Sequence, residues 1–215
     1  MDQDLKTRKR SHGGRPSLEE SELLHGRILD AAAALFTKHG FAGTSIEAIA
    51  THAGIAKLTL YRRFADKDAL FQAVVLRMAE QGRKALGEIA ENDGAVEDVL
   101  IAVGRRLLGI ILSPQSIAFH RILFAEAPRM PEFCALLAPD NPTEHGHSAR
   151  RLFQRLAERG VVREEDVVFL NQQFVQAITA RPLRHALFGA PPMDARAQEE
   201  HVRKAVSLFV KGMLR

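Results

Sequence analysis

From Leu18 onward, apolar residues recur at three- and four-residue intervals, and no useful stretch alternates apolar with polar residues. The pattern predicts an all-α chain. Ile28, Leu29, Ala32, Leu35 and Phe36 form one stripe, closed by His39-Gly40, where glycine suits a left-handed residue just past a helix. Thr44-Ser45-Ile46-Glu47 reads as a capping box, with Thr44 as N-cap and Glu47 reaching back, ahead of a short helix with Ile46, Ile49 and Ala50 inward. Gly54 breaks that helix. A third is expected over 57–64, with Leu60 and Phe64 inward, and Asp66 caps a fourth along Leu70, Phe71, Val74, Val75 and Met78. The fourth helix is predicted to run to about residue 91, ahead of the Asn92-Asp93-Gly94 turn.

The second half continues at helical period. Val96, Val99, Leu100, Val103, Leu107 and Ile111 share a face. Ser113-Pro114 opens another helix with serine as N-cap and proline at the first position, and Asn141-Pro142-Thr143-Glu144 repeats that logic. Gly160 stops the latter. Residues 164–187 read as a long helix that Pro182 should kink or shift, and residues 195–213 as the last. No Pro/Gly/Ser-rich linker interrupts the middle of the chain, so the domain boundary is placed inside the long fourth helix. The expected organisation is a basic arm over 1–23, a three-helix DNA-binding domain with a helix-turn-helix over 24–72, and a helical dimerisation and effector-binding domain over 73–215.

Composition narrows the class. With 215 residues, 46% of them hydrophobic, the chain can bury a core without staples. Cys134 is the only cysteine, which excludes an intramolecular disulfide and fits a reducing, cytoplasmic setting. No apolar run approaches the roughly 18 residues that span a bilayer, so no membrane partner is expected, and the basic N-terminus lacks the apolar core of a secretory signal. The net charge of +4 is mild, but the first 17 residues hold Lys6, Lys9, Arg8, Arg10 and Arg15 against only Asp2 and Asp4. Such a segment is either an arm for phosphates or a minor groove, or a solvated tail.

A helix-turn-helix needs a small residue at the helix crossing, a glycine turn and inward apolar residues that set the angle. Ala50, Ala53-Gly54, and Ile46, Ile49, Ile55 and Leu60 supply them. The outer face then carries Lys57, Leu58, Thr59, Tyr61, Arg62 and Arg63, a mixture suited to phosphates and base edges.

Ile28-Leu29-Asp30-Ala31-Ala32, Leu35-Phe36, Gly40-Phe41, Thr44-Ser45, Ile49-Ala50, Ala53-Gly54-Ile55, Thr59-Leu60-Tyr61, Phe64, Lys67 and Leu70-Phe71 together resemble the N-terminal domain of the TetR family of regulators. Gly14-Arg15-Pro16 is a common prelude there. The resemblance implies a homodimer on double-stranded operator DNA. It places Thr44 and Ser45 at a phosphate, Lys57, Thr59 and Tyr61 on DNA, and Lys67 on a phosphate; Arg15 and Arg62 join these contacts. Two positions depart from the pattern: Ala56 replaces a frequent N-cap serine, and Leu58 stands where glycine is frequent, inviting contact with a thymine methyl.

The segment from Phe119 to Phe133 resembles the C-terminal domain of the AcrR- and AefR-like branch, which implies a dimer and often a cavity for a small apolar effector. Candidates to line it are Leu123, Phe124, Cys134, Phe153 and Phe174, with His120 or Gln173 as polar anchors. The helices at 142–159 and 164–187 are expected to pack against a partner through Leu152, Leu156, Val168, Asn171, Val175 and Ile178, with Phe153 a further possibility. Catalysis is not expected. His120, Cys134, His145, His147 and His185 sit in no catalytic signature; Asp140, Glu144, His145 and His147 could be read as a metal cluster, but His145 and His147 are two apart and fall on different helix faces. No cofactor is implied. The function read from the chain is a repressor released from a near-palindromic operator by an effector; the alternative is an activator or a regulator controlled by a partner protein.

Overall fold

Helix-forming alanine and leucine fill the middle of α1 (Leu18–His39), with Glu19 and Glu20 in its first turn and Lys38 and His39 in its last, the polarity a helix dipole favours. The computed structural model describes residues 18–90, 94–137, 150–163 and 166–213. The basic arm with Arg15, the Asn141-Pro142 signal, Asp140, Glu144, His145 and His147 lie outside them. Because α1 begins at Leu18, residues 18–23, assigned above to the arm, are helical.

After α1 come α2 (Ile46–Ala53), α3 (Lys57–Tyr61) and the long α4 (Lys67–Ala90). The second half comprises α5 (Val96–Ile111), α6 (Pro114–Glu126), a 3₁₀ turn at Ala127–Arg129, α7 (Pro131–Leu136), α8 (Arg150–Glu158), α9 (Val167–Leu187) and α10 (Ala195–Met213). No strand occurs among the described residues. Several predicted caps are in place. The Asp66 carboxylate accepts from the Ala69 N–H at 2.7 Å and the Ser113 hydroxyl from the Ser116 N–H at 3.2 Å. Gly160 carries φ +70° beyond α8.

Two apolar cores form, and their border is not the domain border read from the chain. The first takes Ile28, Phe36, Ile49, Leu60, Leu70 and Phe71 from α1–α4, but also Phe119 and Ile122 of α6 and Phe133 of α7. Phe71 meets Phe36 edge-on at 5.5 Å and stacks on Phe119 at 5.7 Å, so the DNA-side core is completed by the second half of the chain. The second core joins α5, α8, α9 and α10, where Phe153, Phe174 and Phe209 meet in a triangle of edge contacts at 5.5–5.8 Å. Helix α4 serves both: Leu70, Phe71 and Val74 sit in the first core, Leu86 in the second.

Helix α9 runs through Pro182, which is buried. A proline lacks the N–H that would bond the carbonyl four residues back, here Ile178. His201 of α10 supplies the missing donor: its Nε2 lies 2.9 Å from the Ile178 oxygen, an acceptor, so the ring donates from that nitrogen. One helix thus completes the backbone of its neighbour.

Candidate functional site

The helix-turn-helix is built from the end of α1 outward. Ser45, in extended conformation, is the N-cap of α2, and its hydroxyl accepts from the Ala48 N–H at 3.1 Å. Thr44 is not the cap. It is 3% exposed and its hydroxyl lies 2.7 Å from the Gly40 carbonyl and 3.2 Å from that of Leu35. Its hydroxyl thereby ties the loop after α1 back onto the end of that helix. With the cap at Ser45, the main partner of Glu47 is Lys57 of α3.

Gly54 takes φ +66° and closes α2: its N–H donates to Thr51 at 3.1 Å and the Ile55 N–H to Ala50 at 3.0 Å, the paired bonds of a Schellman turn. From α1, Arg27 donates to the Ala53 carbonyl at 2.6 Å and clamps the turn. The sequence reading missed this arginine, because nothing local links positions 27 and 53.

Helix α3 stops at Tyr61, short of the expected Phe64, and Ala56 provides no side-chain cap. Leu60 and Phe64 are buried beneath it, while Lys57, Leu58, Tyr61 and Arg62 are exposed and Thr59 is half-buried. Leu58 is 63% exposed. The Lys57 ammonium pairs with Glu47 and lies 5.5 Å from the centre of the Tyr61 ring. That pairing raises the Lys57 pKa and lowers that of Glu47, chiefly through the hydrogen bond between them. Arg63 is turned inward, donating to the Ser21 hydroxyl at 3.0 Å.

Lys67 has partners within the fold. Its ammonium donates to the Phe41 carbonyl at 2.9 Å and the Thr44 carbonyl at 3.0 Å, and sits 4.4 Å from the Phe41 ring centre. It ties the start of α4 to the loop before α2 through backbone oxygens. Behind α3, His25 stacks on Phe64 at 5.5 Å; burial, then the nearby Arg63 and Arg77 guanidiniums, hold its pKa below the ordinary histidine value.

A cavity of about 630 Å³ lies between α4, α5, α6 and α9. Met78, Leu107, Phe119, Leu123 and Val175 give it an apolar wall, and His120, Asn171, Gln172 and Gln176 are among its polar groups. His120 Nδ1 lies 2.8 Å from the Ser116 carbonyl, so that nitrogen donates and Nε2 is left as the ring's acceptor when neutral.

Of the seven residues expected to line a pocket, His120 and Leu123 do so. Phe153 and Phe174 are fully buried in the second core, held by Phe209; Phe124 is 65% exposed; Gln173 is exposed; Cys134, half-buried in α7, is not at the wall. The dimer candidates divide similarly. Leu152, Leu156 and Ile178 are spent on the second core, and Asn171 and Val175 face the cavity. Only Val168 remains exposed, at 45%. A signal for Asn171 was present: it interrupts the apolar stripe Val167, Phe174, Ile178 of α9 at a position 3% exposed. A buried amide in such a stripe implies a hydrogen-bonding environment within the fold.

Among the described residues there is no cluster of three or more His, Cys, Asp or Glu able to hold a metal, and no single helix is long and apolar enough to cross a membrane.

A short helix on a glycine turn, its inner face locked and its outer face polar, carried by an all-helical body, is the form of a helix-turn-helix DNA-binding protein. Residues 28–74 match the bacterial regulatory proteins of the tetR family and residues 98–212 match the AefR-like transcriptional repressor C-terminal domain; the chain belongs to the TetR family of transcriptional regulators. Its members are regulators and not enzymes. The HTH-type transcriptional regulator UidR of Escherichia coli K12 is 30% identical over 141 residues, covering 62% of this chain and 66% of that one. The uncharacterized HTH-type regulator YvkB of Bacillus subtilis is 27% identical over 192 residues, 87% of this chain and 95% of that one. In three dimensions, a TetR-family regulator from Mesorhizobium loti superposes with TM-score 0.79 at 28% identity, covering 91% of this chain and 98% of its own. The flavonoid-responsive regulator FrrA shares the fold, with TM-score 0.68 at 23% identity over 90% and 98% of the two chains.

Proposed function

We propose that the protein is a homodimeric repressor that leaves a near-palindromic operator when a small, largely apolar effector fills the cavity. The observation that carries this reading is the course of α4. Its first residue, Lys67, holds the loop ahead of the helix-turn-helix, and the same helix from Val75 to Leu86 walls the cavity. A ligand that prefers one placement of α4 therefore biases the spacing of two recognition helices, and coupling of about 1–3 kcal/mol suffices for a 5- to 150-fold change in affinity. On the DNA face, Lys57, Leu58, Thr59, Tyr61 and Arg62 offer base and phosphate contacts, and Ser45 sits at the N-terminus of α2. Dimerisation is supported by apolar side chains left outside the protomer on the last two helices and just beyond α9: Phe169 at 58% exposure, Leu208 at 77% and Phe188 at 84%.

The test is fluorescence anisotropy on DNA from the chain's own promoter region across a salt series, comparing wild type with Tyr61→Ala, and sedimentation to count protomers. Steeply salt-dependent binding that the substitution weakens is expected. Tight, sequence-specific binding untouched by Tyr61→Ala would move the contact surface away from α3, and a monomer on DNA would overturn the dimer.

A further inference from the structure

We infer that the cavity is selective for anions, and that its ligand is an apolar body bearing one carboxylate, received by Arg106. This rests on the effector reading above and narrows it. The charges of the wall carry the argument. Arg83 and Arg106 line the cavity, and none of the described residues lining it is acidic. Arg106 is exposed along an open side of the cavity; a cation there would meet no counter-charge on the wall, whereas a carboxylate would meet one, which favours an anion.

The two arginines are not equivalent. Arg83 is neutralised on its own helix, its Nε 2.9 Å from Glu80. Arg106 has no acidic partner among the described residues. Its neighbour Arg105 shows what α5 does with an arginine on its other side: Arg105 Nε and Nη2 grip both oxygens of Glu199 in α10, at 2.6 and 2.5 Å. Consecutive helical residues diverge by about 100°, so one guanidinium is committed to a protein carboxylate and the next faces the cavity. The planar fork that takes Glu199 in two parallel bonds is the geometry a ligand carboxylate requires. Asn171, Gln172 and Gln176 add amide groups on the facing wall, suited to a hydroxyl or carbonyl elsewhere on the ligand.

The experiment titrates the full-length protein with three ten-carbon probes of one tail and three charges: decanoate, decan-1-ol and decylammonium, each below its aggregation concentration, by isothermal calorimetry at pH 7. Decanoate is expected to bind about tenfold or more tighter than decan-1-ol, and decylammonium to show no saturable binding. Arg106→Gln should remove most of the acid's advantage and leave the alcohol unchanged; Arg105→Gln, on the far side of α5, should leave the preference intact. Decylammonium binding as well as decanoate, an acid preference that survives Arg106→Gln, or no binding by any probe overturns the assignment. Anisotropy on operator DNA separates the two readings. Equal binding and equal DNA release by acid and alcohol would sink the anion assignment and leave effector release standing. Acid-selective binding that never weakens the DNA complex would keep the assignment and sink effector release.

Discussion

The helix-turn-helix and the cavity-bearing half are built by one rule, amphipathic helices around interlocked phenylalanines, yet their working parts lie on opposite sides of that rule. In the first, the core is filled by residues such as Ile28, Phe36, Ile49 and Leu60, all fully buried, and the working surface is whatever points the other way. A five-residue helix with Leu60 locked inward has little freedom in where Tyr61 and Leu58 go. In the second, the working part is space that four crossing helices leave unfilled. Helical register decides an outer face; only the crossing of distant helices decides a hole.

The two halves are nevertheless bound together by Phe71 and Phe119, and the largest expected effect tests that bond. Phe71→Ala should lower unfolding free energy in urea by about 3–5 kcal/mol. Combined with Phe119→Ala it should show a coupling of about 0.5–1.5 kcal/mol in a double-mutant cycle. Strict additivity would mean that the halves are energetically separate despite the stacked rings. Next in size, His201→Leu removes the donor for the Ile178 carbonyl and should cost about 1–3 kcal/mol. Pro182→Ala in that background restores a backbone N–H at the same carbonyl and should recover much of the loss; a double variant no better than His201→Leu would show that the ring's packing matters and not its proton.

Two glycines of α5 sharpen the contrast between filled and unfilled space. A Cβ at Gly104 would stand 3.0 Å from Val202 Cγ1 and 3.2 Å from Ile178 Cδ1, whereas one at Gly109, beside the cavity, meets nothing within 4 Å. Gly104→Ala should therefore destabilise by about 1 kcal/mol or more. Gly109→Ala should stabilise by up to about 1 kcal/mol through helix propensity. Paired melting curves check both, and matching shifts of one sign would break the distinction. The smallest effect belongs to His25 in the first half. Its folded pKa lies below 6.5, so as pH falls through 6.5 the unfolded chain takes up a proton that the folded one resists, and stability declines. His25→Gln should flatten that part of the stability–pH curve; an unchanged slope would assign it to another group.

What the chain revealed about itself follows the same division. Helix order, the Gly54 turn, the Asp66 and Ser113 caps and the exposed face of α3 depend on neighbours within a few residues, and those neighbours are visible in the sequence. The partners of Thr44 and Lys67 were not legible because they are main-chain oxygens of the α1–α2 loop, which a family pattern records as identity without saying which way the atoms point. Phe153 and Phe174 were apolar enough for a pocket and were used for a core, a choice made by Phe209 some thirty-five residues beyond Phe174. The legible clue was polar: Asn171 in an apolar stripe pointed to the wall that Gln172 and Gln176 share.

The bond from His201 to Ile178 also orders events in time. A chain leaving the ribosome presents Pro182 well before the residue that completes the helix around it, which lies 23 positions beyond Ile178. Until α10 has been made, that carbonyl lacks its His201 donor and is left to solvent. The backbone of the helix beside the cavity is therefore complete only once α10 has packed against it.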